Sequence, residues 1–256
     1  MNTTDLKNLK TFYETEYSRF DGLTQVPEND DFMYSPVLKS LVPHLTKKTR
    51  VLDIGCNTGC MSLYMAKAGC NVTGIDLAQN AVDTATKSAC HWNAQNVNFT
   101  QMDFLKDWQE PAVFDFVLCC HVIEHVPDDA AFLKKILFAM RPNGHLLLMA
   151  PTLYSSLYRV HKLFTGNFAW DKEVGHLRRY DRKTLPDLVE KAGFKIDSIS
   201  FFDSVLREWF IILKPLRWTQ KIWARRYIRI AFNAADKFLA RFMFPATICI
   251  HARRGL

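Results

Sequence analysis

Three short apolar segments each run into an aspartate: "RVLDIG" from Arg50, "NVTGID" from Asn71 and "VNFTQMD" from Val97. Apolar runs of this length suit strands, and the stretches between them carry helical spacing. "GCMSLYMAKAG" reads as a helix closed by Gly69, and "LAQNAVDTATKSACHWN" as a second helix. "FDFVLCCH" is a fourth strand, apolar enough to be buried on both faces. "PDDAAFLKKILFAM" is a helix with its acids at the end the dipole favours, and "GHLLLMAP" a fifth strand. Such alternation predicts a parallel, doubly wound α/β sheet. After Pro151 the rhythm breaks in an irregular aromatic stretch. It resumes with helix "RKTLPDLVEKAGF" and strand "KIDSISFF", and a last strand, "ATICIHARR", follows a long insertion. The chain thus divides into an N-terminal helical cover over 1–48, a core over 49–203 plus 246–256, and a basic amphipathic helical insertion over 204–245. In the cover, Tyr13, Tyr17, Phe20 and Tyr34 are available to shield something beneath.

In open α/β sheets ligands bind beyond the carboxyl ends of the strands, and the polar residues fall there. Asp53 and Gly55 end the first strand, Asp76 the second and Asp103 the third; Cys120, His121, Glu124 and His125 follow the fourth. For an adenosine nucleoside each has a task. Gly55 and Gly59 allow a tight turn and close backbone approach. Asp76 can accept from both ribose hydroxyls, and Asp103 from the adenine amino group, with Leu77, Met102 or Phe104 on the ring face. A dinucleotide fingerprint would need glycine where Asn57 and Cys60 stand, and no phosphate-cradling lysine follows. A nucleoside without pyrophosphate remains, and a nicotinamide oxidoreductase loses support.

The ordered set "VLDIGCNTG", "VTGIDLAQNAV", "FTQMDF", "FDFVLCCHVIEHV" and "RPNGHLLLMAP" resembles the class I S-adenosylmethionine-dependent methyltransferases. The resemblance implies a seven-stranded, mostly parallel sheet of order 3-2-1-4-5-7-6 with strand 7 antiparallel, and S-adenosyl-L-methionine as cofactor. It places Asp53, Gly55, Cys56 and Gly59 around the methionine moiety, Asp76 on the ribose, Asp103 and Phe104 at adenine, and Cys120 under the sulfonium. Asn57 stands where the family commonly has glycine; asparagine tolerates positive φ best among the others, so the turn is expected to survive.

No [DN]PP[FY] segment follows strand four and no Pro-Cys nucleophile stands there, so neither amide or adenine nitrogen nor cytosine carbon is favoured as acceptor. "HVIEHV" formally matches an inverted zinc-protease string, a reading at odds with its place after a buried strand. It is closer to the "ExxEHV" of ubiquinone-biosynthesis O-methyltransferases, some of which bind a divalent metal there, with His121 replacing the first acid. His121, Glu124 and His125 share a face if the segment makes a helical turn. His125 is either a metal or base group or a cap on strand four. "GHLRRYDRKTL" resembles the family's "GHxRxFtxxxL", and His176 there is a candidate base over the substrate pocket. Arg178 and Arg179 either hold an acidic substrate group or solvate a loop.

Charge is uneven. Eleven Lys/Arg against Glu208 and Asp236 leave residues 205–256 at +9, within a chain of net +7. On a helical wheel, Arg225, Arg226, Arg229, Asp236, Lys237 and Arg241 fall on one side, and Ile228, Ala231, Ala235, Phe238 and Phe242 on the other. Trp209, Trp218 and Trp223 add interfacial residues. This suits either a helix packing its apolar side on the sheet or one lying on an anionic membrane surface. Stacking aromatics on a basic surface are not evident, so nucleic acid is not the expected partner. The seven cysteines form no CxxC pair, which fits a reducing compartment. No signal-peptide core and no run of membrane-spanning length stands out. The expectation is a cytoplasmic methyltransferase, peripheral at the inner membrane face, acting on a small or lipid-linked acceptor at oxygen. Rivals are an RNA methyltransferase using the insertion and a non-catalytic nucleoside-binding protein.

Overall fold

The strands are β1 (Arg50–Ile54), β2 (Asn71–Asp76), β3 (Val97–Gln101), β4 (Phe114–Cys120), β5 (Met140–Pro151), β6 (Phe194–Phe202) and β7 (Thr247–Arg254). They pair in the order β3-β2-β1-β4-β5-β7-β6, parallel from β3 to β5, with β7 antiparallel to both β5 and β6. This is the order and orientation expected. The computed structural model describes residues 10–15, 22–29, 31, 34–165, 171, 174–208, 226–243 and 245–255. Tyr17, Phe20, Trp209, Trp218 and Trp223 lie outside them.

The helices that frame the sheet include α1 (Ser35–Leu41), α2 (Cys60–Lys67), α3 (Gln79–His91), α4 (Phe104–Asp107), α5 (Asp129–Ala139), α6 (Ser156–Thr165), α7 (Thr184–Lys191) and α8 (Arg226–Phe242). The central strand β4 feeds both faces of the sheet, as period-two alternation requires. Val117 and Cys119 join Leu52, Leu146 and Ile250 under Phe132, Leu133 and Ile136 of α5. Phe116 and Leu118 join Val51, Leu147 and Cys249 under Leu38 and Leu41 of α1 and Leu63 of α2. Truncating a fully buried aromatic such as Phe116 costs about 3–5 kcal/mol in transfer and cavity terms.

Local chemistry sets the helix starts. The Asp128 carboxylate accepts from the Ala131 N–H at 2.8 Å and caps α5. α5 ends at Ala139 and β5 begins at Met140, earlier than the sequence pattern suggests, because 141–144 bulge between the pairs Phe114–Met140 and Phe116–His145.

The insertion departs from one of the two dispositions expected of it. α8 packs on β6 through Asn233, Asp236 and Ala240, while Ala231, Ala235, Phe238 and Phe242 of its apolar side face outward. A buried polar network reverses it. Arg207 Nε donates to Asp236 Oδ2 at 2.9 Å, and Arg207 also donates to Asn233 Oδ1 at 2.8 Å. The Ser204 backbone N–H and hydroxyl donate to Asp236 Oδ1 at 2.9 and 2.7 Å. The packing of an apolar side on the sheet is therefore corrected.

Candidate active site

The carboxyl ends of β1, β2 and β4 form a crest, and the predicted residues gather along it. After β1 the chain turns sharply: the Gly55 and Cys56 N–H groups donate to the Ile75 carbonyl at 2.8 and 3.0 Å. Gly55 and Gly59 have φ of +71° and +86°. A Cβ on Gly59 would lie 2.8 Å from Phe99 and 2.9 Å from Ala85, so both conformation and space require glycine there. Asn57 adopts φ +53°, the left-handed turn expected of it.

Asp76 pins this turn. Its Oδ2 accepts from the Asn57 N–H at 2.8 Å and its Oδ1 from the Ala78 N–H at 2.9 Å. Burial nevertheless pushes its pKa upward, against those bonds. Asp53 lies beneath the turn, buried, and accepts from Ser62 Oγ at 2.6 Å. Its pKa rises to about 7, chiefly from burial, with the charge of Asp76 adding to it. Asp103 caps α4, and Lys106 Nζ lies 3.0 Å from its Oδ2. Phe104 is packed in the core against Trp108 and Phe132, so Leu77 and Met102 are the predicted apolar groups with partial exposure here. Cys56 is buried and Cys120 half-buried at the end of β4.

"HVIEHV" folds as a 3-10 turn over Ile123–His125, and His121 enters it with φ +56°. Glu124 is fully buried. Its Oε1 accepts from His121 Nδ1 at 3.2 Å and faces His176 Nε2 at 3.9 Å, while Oε2 has no partner among the described residues. Burial would raise the Glu124 pKa, but the His121 bond and charge outweigh it and hold the carboxyl below its ordinary range. A buried carboxylate with one bare oxygen costs stability, about 1–3 kcal/mol or more, unless a ligand completes it.

His125 is engaged at both nitrogens. Its Nδ1 lies 3.2 Å from the Gly175 carbonyl, which can only accept, so Nδ1 carries the proton. Nε2 then accepts from the Tyr13 hydroxyl at 3.1 Å. Burial lowers its pKa, against the charge of Glu124. The segment carrying His176 is laid across the crest by Leu177 N–H, which donates to the Glu124 carbonyl at 2.9 Å. His176 Nδ1 donates to Asp171 Oδ1 at 2.7 Å, which leaves Nε2 turned toward Glu124, beside His125, whose ring meets it edge-on at 4.9 Å. Arg179 grips the same Asp171 with Nε at 3.0 and 2.8 Å. Arg178 binds the Pro127 carbonyl at 2.8 Å and Asp129 at 2.6 Å. Both arginines thus staple the loop to its neighbours.

Asp171 and Glu14 escaped the sequence reading, and Tyr13 was expected only as part of a cover. Asp171 stands five residues before His176 in an irregular stretch, and only an acid near a base-like histidine marked it. Tyr13 and Glu14 come from the far N-terminus. Glu14 receives the Gln79 and Asn80 N–H groups at 2.7 and 3.0 Å, capping α3 just beyond Asp76.

Glu124, His125 and His176 each offer a ligand atom within 4.8 Å of the others. Proximity alone suggests a metal, but hydrogen bonding argues against it. With both His125 nitrogens hydrogen-bonded, the trio offers one carboxylate and one imidazole, fewer than the three protein ligands of a catalytic zinc. The residues present do not fit zinc at this place. They do fit a cationic nucleoside: the strand-end residues 53–59, 76–78 and 102–104 include three carboxylates and no Lys or Arg.

A sheet of this order with acids at three successive strand ends defines a nucleoside-binding transferase architecture. The chain belongs to the class I methyltransferases: a family model described as a methyltransferase domain matches residues 29–199. It is similar to the ubiquinone biosynthesis O-methyltransferase of Idiomarina loihiensis, 39% identical over 98 residues, 38% of this chain and 40% of that one. It is also similar to that of Coxiella burnetii, 33% identical over 116 residues, 44% of this chain and 49% of the relative. The chain therefore spans less than half the length of these relatives. Among solved structures, a SAM dependent methyltransferase from Archaeoglobus fulgidus superposes with TM-score 0.59 at 20% identity, covering 87% of this chain and 93% of that one.

Proposed function

We infer that this methyltransferase moves a methyl group from S-adenosyl-L-methionine to a hydroxyl oxygen of a small or lipid-linked acceptor. The observation that carries the reading is the Asp171–His176 pair aimed at Glu124 over the crest. S-adenosyl-L-methionine, when bound, supplies an electrophilic methyl on a sulfonium. Asp76 would hold the ribose hydroxyls; Asp103, Leu77 and Met102 would frame the adenine. Gly55, Cys56 and Gly59 let the backbone approach the methionine end, with Asp53 supporting the turn and Cys120 as its floor. Asp171 accepts from Nδ1 and fixes the tautomer in which His176 Nε2 is a free base. Nε2 then takes the acceptor's hydroxyl proton. Glu124, which accepts from His121 Nδ1 and through its carbonyl from the Leu177 N–H, holds His121 and the His176 segment in place for that transfer. Tyr13, with Glu14 on α3, closes the crest from the N-terminal side.

The outward apolar side of α8 supports an anionic membrane surface as partner. Phe238 and Phe242 are 65% and 69% exposed, beside exposed Lys237 and Arg241. Glu208 and Asp236, the only acids after residue 204, are both buried, so they do not offset that charge at the surface. The described helices include none long and apolar enough to cross a membrane.

Incubation with methyl-labelled S-adenosyl-L-methionine and separate lipid, small-phenol and RNA pools tests the reading. Label should enter base-stable ether linkages in the lipid or phenol pool. Label in RNA, or donor binding without transfer to any pool, would overturn it.

A further inference from the structure

A second cluster of nitrogen ligands lies at the other end of the sheet. His44 closes the 3-10 turn Val42–His44 after α1, His145 begins the regular part of β5, and His251 lies in β7. Leu147 is opposite His251 and Arg253 opposite His145, so the two strand histidines are diagonal neighbours on one face. His145 precedes Pro151 by six residues, which puts the cluster about 20 Å along β5 from the crest.

The three rings face one another. His145 Nδ1 and His251 Nε2 are 3.1 Å apart. The His44 ring lies 4.0 Å from that of His251 and 5.1 Å from that of His145, centroid to centroid. One nitrogen from each falls within 4.8 Å of the other two. A tetrahedral zinc with bonds of about 2.0–2.1 Å separates its ligand nitrogens by about 3.3 Å. The strand pair already stands at that spacing, and a ring rotation at the half-exposed His44 closes the rest.

The surroundings suit the same ion. Asp197 Oδ2 lies 3.7 Å from His251 Nδ1, behind the ring, which directs Nε2 into the cluster. A carboxylate behind a ligating imidazole is the usual outer partner, although Asp197 also accepts from Arg253 Nε at 2.8 Å. His44 and His251 stand in the wall of a cavity of about 270 Å³, also lined by Lys39, Ser40, Ser198 and Ser200, which gives an ion and a water ligand a path in. The crest trio differs in that both nitrogens of His125 there are held by groups outside the trio.

The geometry points to a divalent metal site of the zinc class formed by His44, His145 and His251, tying the N-terminal layer to β5 and β7. Histidine-only donors suit zinc, cobalt, nickel or copper rather than magnesium or calcium. The site is independent of the methyl-transfer chemistry.

The full chain, stripped with a chelator and titrated with Co²⁺, tests it by ligand-field absorption. One Co²⁺ per chain is expected, and saturating Zn²⁺ should raise the Tm by about 5 °C. His145→Ala should weaken Co²⁺ binding at least about tenfold. His44→Gln, which alters a turn and leaves the sheet intact, should do the same, and Asp197→Asn should weaken binding about tenfold. Glu124→Gln should leave it unchanged. No Co²⁺ uptake, native affinity in both His44→Gln and His145→Ala, or loss of binding in Glu124→Gln would each overturn the inference.

Discussion

The crest above β1, β2 and β4 and the flank of β6, β7 and α8 use similar side chains in opposite ways. On the crest, carboxylates and imidazoles gather at strand ends, and Glu124 Oε2 has no partner among the described residues. On the flank, Ser204, Arg207, Asn233 and Asp236 turn inward and satisfy one another, and phenylalanines face out. Parallel strands bring their carboxyl ends to one edge, so polar groups accumulate there. The flank has a long connection between antiparallel strands, and its polar groups hold that connection down. Changes on the crest should therefore affect chemistry, and changes on the flank stability or surface behaviour.

The largest effect is expected at His176. His176→Ala should lower kcat by about 10²–10⁴ in single-turnover methyl transfer while donor affinity stays native. An equal fall in donor affinity would make the residue part of the cradle and blur the comparison. Asp236→Asn should cost about 1.5–3 kcal/mol in urea unfolding, because it removes the buried carboxylate that Arg207 and the Ser204 N–H and hydroxyl share, leaving Arg207 to Asp203. A loss below about 1 kcal/mol, the range of an exposed pair, would break the picture of an inward-facing flank. Asp76→Ala should weaken donor binding about 100-fold by calorimetry, through loss of two accepted hydrogen bonds and of the pinned turn.

A smaller effect follows from Asp53. Its folded pKa of about 7 lies above the ordinary 3.8, so the folded state holds the proton more tightly. Stability from this group is full below pH 3.8 and is lost as pH rises toward 7. Asp53→Asn should accordingly raise Tm relative to the native chain near neutral pH, and the gap should close in acid. A gap independent of pH would show that Asp53 does not titrate in this window. Least costly to the fold, replacing Phe238 and Phe242 together by Ser should change stability by no more than about 0.5 kcal/mol. The same double variant should abolish co-flotation with anionic vesicles; retained flotation would remove α8 from the membrane reading.

Much of the crest was legible in the sequence because its signals are local. The turn from Asp53 to Gly59 is written in consecutive residues, and even the left-handed Asn57 could be anticipated from its side chain. Strand order followed from the resemblance, and the strand positions from hydrophobic pattern. What escaped depends on contacts between distant segments. Tyr13 meets His125 across 112 residues. Asp171 is recognisable only once its neighbour His176 is seen to turn toward it. The wheel of α8 sorted polar from apolar residues but left open which side faces the sheet, because the group that decides it, Arg207, lies before the helix and reaches Asp236 across 29 positions.

The raised thiol pKa values near the crest have a further consequence. Burial keeps Cys56, Cys119 and Cys120 well above the ordinary cysteine range, with the charge of Asp53 reinforcing it at Cys56 and Cys120. Thiolates are strong nucleophiles and thiols weak ones. Under the proposed function the protein holds a potent alkylating agent beside its own sulfur atoms, and a dry anionic lining keeps those sulfurs in the form that does not react. Self-modification is thereby suppressed by the same carboxylates and apolar walls that receive the cationic donor.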